Sequence, residues 1–217
     1  MNTRTTANYI YDLIAQGEHQ QQDFKFEISD ARKIARSLSA FANTDGGRLL
    51  IGVKDNGKIA GIRSEEEAYM IGTAADLYCT PKVEYSMQAH RIEGRTVLEV
   101  IIPAGKKKPY RVKEEDKKNY AYTRVKDENI LATPVHLKVW QMERSTQGAF
   151  IQFSKEEQLL LDHLNRNEQI SFRQFYKMAA INLNKTEDAL AKLIHIRLIE
   201  SFYTGKTFNY RLKPENA

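Results

Sequence analysis

S-A-F-A-N-T-D-G-G-R-L-L-I-G-V-K-D-N-G, Ser39 to Gly57, reads as a helix end, a glycine hinge, a buried strand and a turn in succession. Upstream of it Ala31, Ile34, Ala35, Leu38, Phe41 and Ala42 recur at the three-and-four spacing of one helical face, with Asp30 placed to cap it. Asn43, Thr44 and Asp45 continue a helix poorly, and the Gly46-Gly47 pair permits positive φ, so the chain reverses directly into Arg48 to Val53. Leu49, Leu50, Ile51 and Val53 form an unbroken apolar run, which suits a strand covered on both faces. Asp55-Asn56-Gly57 then turns tightly, leaving Asp55 exposed at the end of that strand.

Working outward on the N-terminal side, Tyr9, Ile10, Leu13 and Ile14 give a short helix closed by Gly17. Asp23 to Glu27 alternates charged and aromatic residues, as a strand does with one face on the core, and it puts Asp23 and Lys25 on the polar face. On the C-terminal side Lys58 to Ile62 reads as a short strand. Ser64 with Glu67 reads as a capping box opening a helix to about Leu77. Val83 to Ala89 and Thr96 to Ile102 form an antiparallel pair across Glu93-Gly94. From Gly105 to Lys126 lysines, an acidic trio and tyrosines interleave, and two short strands joined by a charged hairpin are expected. Thr133-Pro134 opens a helix through Trp140.

The composition shifts at 145–153, a polar linker, and divides the chain into a first domain over 1–144 and a second over 154–217. In the second, helices start at Ser154, Ser171 and Asn184 and are followed by a hairpin, Ile199 to Tyr203 and Thr207 to Leu212, which is the order of a winged helix-turn-helix. The expected fold class is therefore α+β, a mixed, mostly antiparallel sheet with flanking helices plus a small winged unit.

A net charge of +5 and a pI near 9.1 fit a polyanion partner but are also common without one. The single cysteine, Cys79, excludes an internal disulfide and any multi-cysteine zinc site, and its apolar surroundings favour a buried thiol. No run is long enough to span a bilayer and no apolar leader opens the chain, so a cytoplasmic protein with no membrane partner is expected.

The central stretch, with G-E-H-Q-Q-Q-D-F-K before it and Y-A-Y-T-R-V after it, resembles the Schlafen AlbA-type family, formerly called divergent AAA, over roughly Met1 to Arg144. Three departures stand out: Asp23 where glutamate is usual, Lys126-Asp127 where glycine-serine often follows, and absence of the zinc-binding cysteines and histidine of vertebrate Schlafens, so no zinc is expected. The resemblance implies a nucleic-acid-associated domain, DNA-binding in bacterial members and RNA-cleaving in some vertebrate ones. The nuclease residues map onto Glu18, Asp23 and Asp55, which would hold Mg²⁺ or Mn²⁺, with Lys25 steadying developing charge. Without a nuclease, no cofactor is expected. Some vertebrate Schlafens carry two such lobes around a groove, so one lobe per chain implies a homodimer.

The first reading is a DNA-binding, regulator-like protein. Its contacts would be Lys106, Lys107, Lys108, Arg111, Tyr120, Tyr122 and Arg124, with Lys185, Lys192, Arg197 and Lys206 in the winged unit. The alternatives are a metal-dependent endoribonuclease using Glu18, Asp23 and Asp55, and a scaffold that recruits a partner protein through the winged helix. An ATPase is disfavoured, since no G-x-x-x-x-G-K-[ST] occurs.

Overall fold

The computed structural model describes residues 3–145 and 152–214; most of the expected 145–153 linker lies outside them. The chain divides into two units, Met1–Ala132 and Thr133–Ala217. The division precedes the Thr133-capped helix, which the sequence placed at the end of the first domain. That helix instead buries Val135 and Val139 in the core of the second unit.

In the first unit α1 (Thr3–Ala15) precedes β1 (Gln22–Lys25), α2 (Ala31–Asn43) and β2 (Gly47–Ile51). β1 and β2 are parallel, with Asp23 opposite Leu49 and Lys25 opposite Ile51, so α2 is the crossover between them. β5 (Arg95–Ile102) pairs antiparallel with β2, and β4 (Ser86–Ile92) completes the order β1-β2-β5-β4. Glu93 and Gly94 both take positive φ, which gives the two-residue turn that Glu93-Gly94 signals. Both faces of this sheet are covered. Leu50, Phe24 and Val97 pack with Ile10 and Leu13 of α1, while Leu49, Ile51, Leu98 and Val100 pack with Ile34, Leu38 and Phe41 of α2.

The second sheet runs β3 (Cys79–Thr80), β6 (Arg111–Lys113), β7 (Asn119–Val125) and β8 (Glu128–Leu131), the last a strand with no clear periodic signal. α2 touches both sheets, which is why its last seven residues, Ser37 to Asn43, are all buried. Cys79 is buried against it, and burial pushes the thiol up to about 12.

Two local expectations differ. Lys58 to Ile62 makes only the single bridge between Ile59 and Val53. Ser64 and Glu67 form no capping box, since α3 (Glu66–Thr73) starts later and the buried Glu67 carboxylate accepts from the backbone of Ile28 (3.0 Å) and Arg63 (2.7 Å) instead. Two orphan loop donors outcompete one helix cap.

In the second unit α4 (Pro134–Glu143), α5 (Lys155–Leu164), α6 (Phe172–Ala179) and α7 (Leu183–His195) surround Leu160, Phe175, Leu190, Leu193 and Tyr210. A three-stranded sheet has the order β10 (Ile199–Tyr203), β11 (Phe208–Leu212), β9 (Ile170–Ser171). Thr133, Ser154 and Ser171 cap their helices as their hydroxyls and spacing indicate. The third cap is Asn182 rather than Asn184. The fold is thus α+β with mostly antiparallel sheets, and no helix among the described residues is long and apolar enough to cross a membrane.

Candidate nucleic-acid interface

The C-terminal end of α2 carries Ser39, Asn43 and Thr44 inward, against the second sheet. Pairing between β6 and β7 stops at Arg111 opposite Ala121, and one residue further on the two strands are bridged by side chains of α2. Asn43 Nδ2 donates to the carbonyls of Tyr110 (2.8 Å) and Tyr122 (2.9 Å), and its Oδ1 accepts from Tyr110 N (2.7 Å). Ser39 Oγ donates to the Tyr110 carbonyl at 2.8 Å and accepts from Tyr122 N at 3.2 Å. Thr44 Oγ1 takes the N–H of Arg124 at 2.9 Å. Three polar side chains therefore splice a helix into a ladder.

Arg124 extends the splice to β1. It is 2 % exposed, with its guanidinium 4.9 Å from the Phe41 ring centroid. It donates to Asn129 Oδ1 (3.0 Å) and to the Gln22 carbonyl (3.1 Å), and lies 3.4 Å from Asp23 Oδ1. Asp23, expected on an open polar face, is 3 % exposed because Arg124 covers one oxygen and Lys25 Nζ stands 2.6 Å from the other. Neither Arg124 nor Lys25 has a cation left for phosphate.

Glu18 sits beside Asp23 and accepts the Phe24 N–H at 2.9 Å; partial burial first, and the neighbouring Asp23 carboxylate next, push it up to about 6. Asp55 does not join them. It occupies the exposed turn closed by the 2.7 Å bond from Gly57 N to the Lys54 carbonyl, four residues beyond the last β1–β2 pair. Among the described residues no three His, Cys, Asp or Glu side chains come together in a way that could hold a metal ion. With two cations already on Asp23, these residues do not fit a divalent site.

The lysine run is mounted on the same helix end. Gly105 N donates to the Ala42 carbonyl at 2.8 Å, and the Tyr110 ring fills the space a Cβ at position 105 would need. Lys108 reaches back to the Thr44 carbonyl at 3.1 Å, where the helix terminus is electronegative. Lys106 and Lys107 remain exposed beside a groove of about 650 Å³, lined also by Pro81, Lys82, Glu84, Pro103 and Tyr110. The tyrosines are less available than interleaving suggests. Tyr110 is buried, Tyr122 donates to Glu114 Oε1 at 2.7 Å, and Tyr120 donates to Asp116 Oδ2 at 2.7 Å. Glu114 is itself held below the usual carboxylate range, first by its paired bonds to Arg36 (2.7 and 2.6 Å). Arg111 is half-buried.

The profile of the family described as Schlafen, AlbA_2 matches residues 18–133, ending one residue past the first unit. The chain belongs to the Schlafen AlbA_2 family. No curated protein matches it. Among solved structures it is similar to the DIP2311 protein of Corynebacterium diphtheriae (20% identity, TM-score 0.47), covering 68% of this chain and 33% of that one. It is also similar to the N-terminal domain of a RecG-related protein of Nitrosomonas europaea (21% identity, TM-score 0.41), covering 68% of this chain and 94% of that domain. This chain thus spans about a third of the DIP2311 chain.

Within the AlbA_2 unit, several of the residues that carry the family resemblance hold it together, whereas Asp55 stands on an exposed turn. Gly46 takes φ +72 where a Cβ would stand 2.7 Å from Ala104 N, and Gly47 clears the Phe41 ring. In the second unit Lys185, Arg197 and Lys206 are exposed, whereas Lys192 is bound to Glu157 Oε2 and the Gln152 carbonyl, both at 2.7 Å. Sequence reasoning missed Asn43 and Ser39 as splices, because a polar residue near a helix end reads first as a solvated terminus.

Proposed function

We propose that this AlbA_2 protein binds nucleic acid through the Gly105–Lys118 segment, gripping the phosphate backbone with Lys106, Lys107 and the exposed hairpin lysines Lys113, Lys117 and Lys118. The observation that carries this reading is the division of labour among the cations. Arg124, Lys25 and Lys108 are consumed internally, while Lys106 and Lys107 face an open groove in which Glu84 is the acidic lining residue, and neither lysine is ion-paired among the described residues. Family membership and the RecG-related neighbour's name are consistent with a nucleic-acid role. In the second unit, the order helix, strand, two helices and hairpin supports a winged helix-turn-helix offering Lys185 from α7, Arg197 and the hairpin-tip Lys206 to DNA, as in a regulator. A homodimer, which would present two such units to two half-sites, belongs to the same proposal.

Binding is favoured over cleavage because Asp55 stands apart from Glu18 and Asp23. Incubating the protein with duplex DNA and transfer RNA, with and without Mn²⁺, tests this. Retarded but intact nucleic acid is expected in every lane. Mn²⁺-dependent cleavage that disappears in folded Asp55→Ala protein would replace this reading with the endoribonuclease.

A further inference from the structure

At the carboxyl end of the parallel β1–β2 pair, away from the lysine run, an aromatic ring has two cations close over it. Phe24 is buried in the core, but Phe26 is 38 % exposed, with Lys54 Nζ 4.9 Å and the Arg63 guanidinium 5.6 Å from its centroid. These residues come from three segments that are fixed to one another. Glu67, itself 4 % exposed, accepts from Ile28 N and Arg63 N, so one buried carboxylate pins the loops on both sides of the ring. Gly52 N donates to the Lys25 carbonyl at 2.8 Å, setting the exit of β2 against that of β1, and the 3.0 Å bond from Lys54 N to the Lys58 carbonyl closes the turn. Glu27 lies 2.6 Å from Arg63, and the exposed Asp55, Glu65 and Glu66 follow Lys54 and Arg63 closely in the chain; beside them stand Lys54, Lys58 and Arg63. The Arg63 side chain is 71 % exposed, so a ligand can reach its guanidinium beside the Glu27 pair. An exposed ring with two cations over it matches one chemistry closely, an unpaired base that takes their place on the ring while its own phosphates take the cations.

We propose that Phe26, Lys54 and Arg63 form a second nucleic-acid contact that takes an unpaired base on the Phe26 ring and the adjoining phosphates on Lys54 and Arg63. It rests on the nucleic-acid reading above. It lies at the other end of the 13-residue α2 from Gly105, about 20 Å away at 1.5 Å per residue, and so is separable from the first contact. A duplex hides its base faces by stacking, so this contact discriminates strandedness and the lysine run does not.

The test compares a labelled oligothymidylate with a blunt duplex, by fluorescence anisotropy, for wild type, Phe26→Ala, Phe26→Tyr, Lys54→Ala/Arg63→Ala and Lys106→Ala/Lys107→Ala. Phe26→Ala should weaken single-strand binding about tenfold, within the range that stacking on one aromatic supplies, and change duplex binding less than about twofold. Phe26→Tyr should restore it, and the Lys106/Lys107 pair should weaken both ligands. In Phe26→Trp protein, the oligothymidylate should quench emission beyond the background from Trp140. Single-strand binding unchanged in Phe26→Ala, or an unquenched Trp at 26, overturns this proposal while leaving the first contact standing. Wild-type protein that binds neither ligand overturns both.

Discussion

Replacing Asn43 with alanine removes the side chain that bridges β6 and β7. Asn43 is 2 % exposed and serves three backbone groups. The Tyr110 carbonyl keeps Ser39 Oγ at 2.8 Å, so two groups, Tyr110 N and the Tyr122 carbonyl, lose their recorded partner. A buried backbone group left unpaired costs about 1–3 kcal/mol, which gives about 3 kcal/mol for the pair after partial relaxation. For a unit of this size that lowers the melting temperature by roughly 10 °C. Two probes separate this effect from general damage. Trp140, the only tryptophan, is buried beside His136 of α4 in the second unit, whereas far-UV circular dichroism reports both units. Asn43→Ala should move the dichroism transition and leave the Trp140 fluorescence transition near its wild-type midpoint. Asn43→Asp should do no better, because a carboxylate cannot donate to the Tyr110 and Tyr122 carbonyls. A loss below about 1 kcal/mol would refute the splice as a source of stability, since even one orphaned group should cost that much.

Arg124→Lys should destabilise the first unit by about 3 kcal/mol in urea titrations, because an ammonium cannot serve Asn129, Gln22 and Asp23 from one planar fork, and Asp23 stays buried. Glu18→Gln tests the raised carboxyl. With a folded value of about 6 against an ordinary 4.5, the protonated form is favoured by folding, so Glu18's contribution is fully present below pH 4.5 and is lost as pH rises through 6. Glutamine, which still accepts from Phe24 N, should raise stability at neutral pH and have no benefit at pH 4. His136 runs the other way in the second unit. Burial lowers it from 6.5 to about 4, and its Nδ1 accepts from Thr133 N at 3.2 Å, so Trp140-monitored stability should fall as pH drops from 6.5 towards 4 and flatten in His136→Gln protein.

Periodicity found the elements that bury one continuous apolar face. The Leu49 to Val53 run and α1 are legible because burial there is carried by apolar side chains, and the Glu93-Gly94 hairpin is legible from its turn although it also buries His90 and Glu99. α2 was half legible. Its apolar stripe faces the first sheet, but Ser37, Ser39 and Asn43 are as buried as Leu38, and hydrogen bonding to a second sheet leaves no hydrophobic pattern to read. The same blindness misplaced Asp23 and Arg124. Charged residues read as solvent-facing until a partner is supplied, and here the partner comes from a strand about a hundred residues away. β8 and the boundary before Thr133 were missed for a related reason, since short strands and the side on which a helix docks depend on contacts that local spacing does not encode. Lys106 and Lys107 were placed correctly at the surface, whereas Lys108, their neighbour, was not distinguishable from them.

The most direct test of the central claim is the salt dependence of duplex binding in Lys106→Ala/Lys107→Ala protein against wild type. If these two lysines grip phosphates while Arg124 and Lys25 hold the fold, the variant should melt like wild type, bind many sequences more weakly alike, and lose up to about 0.9 per contact from the slope of log K against log salt. An unchanged slope in a stably folded variant would contradict the account.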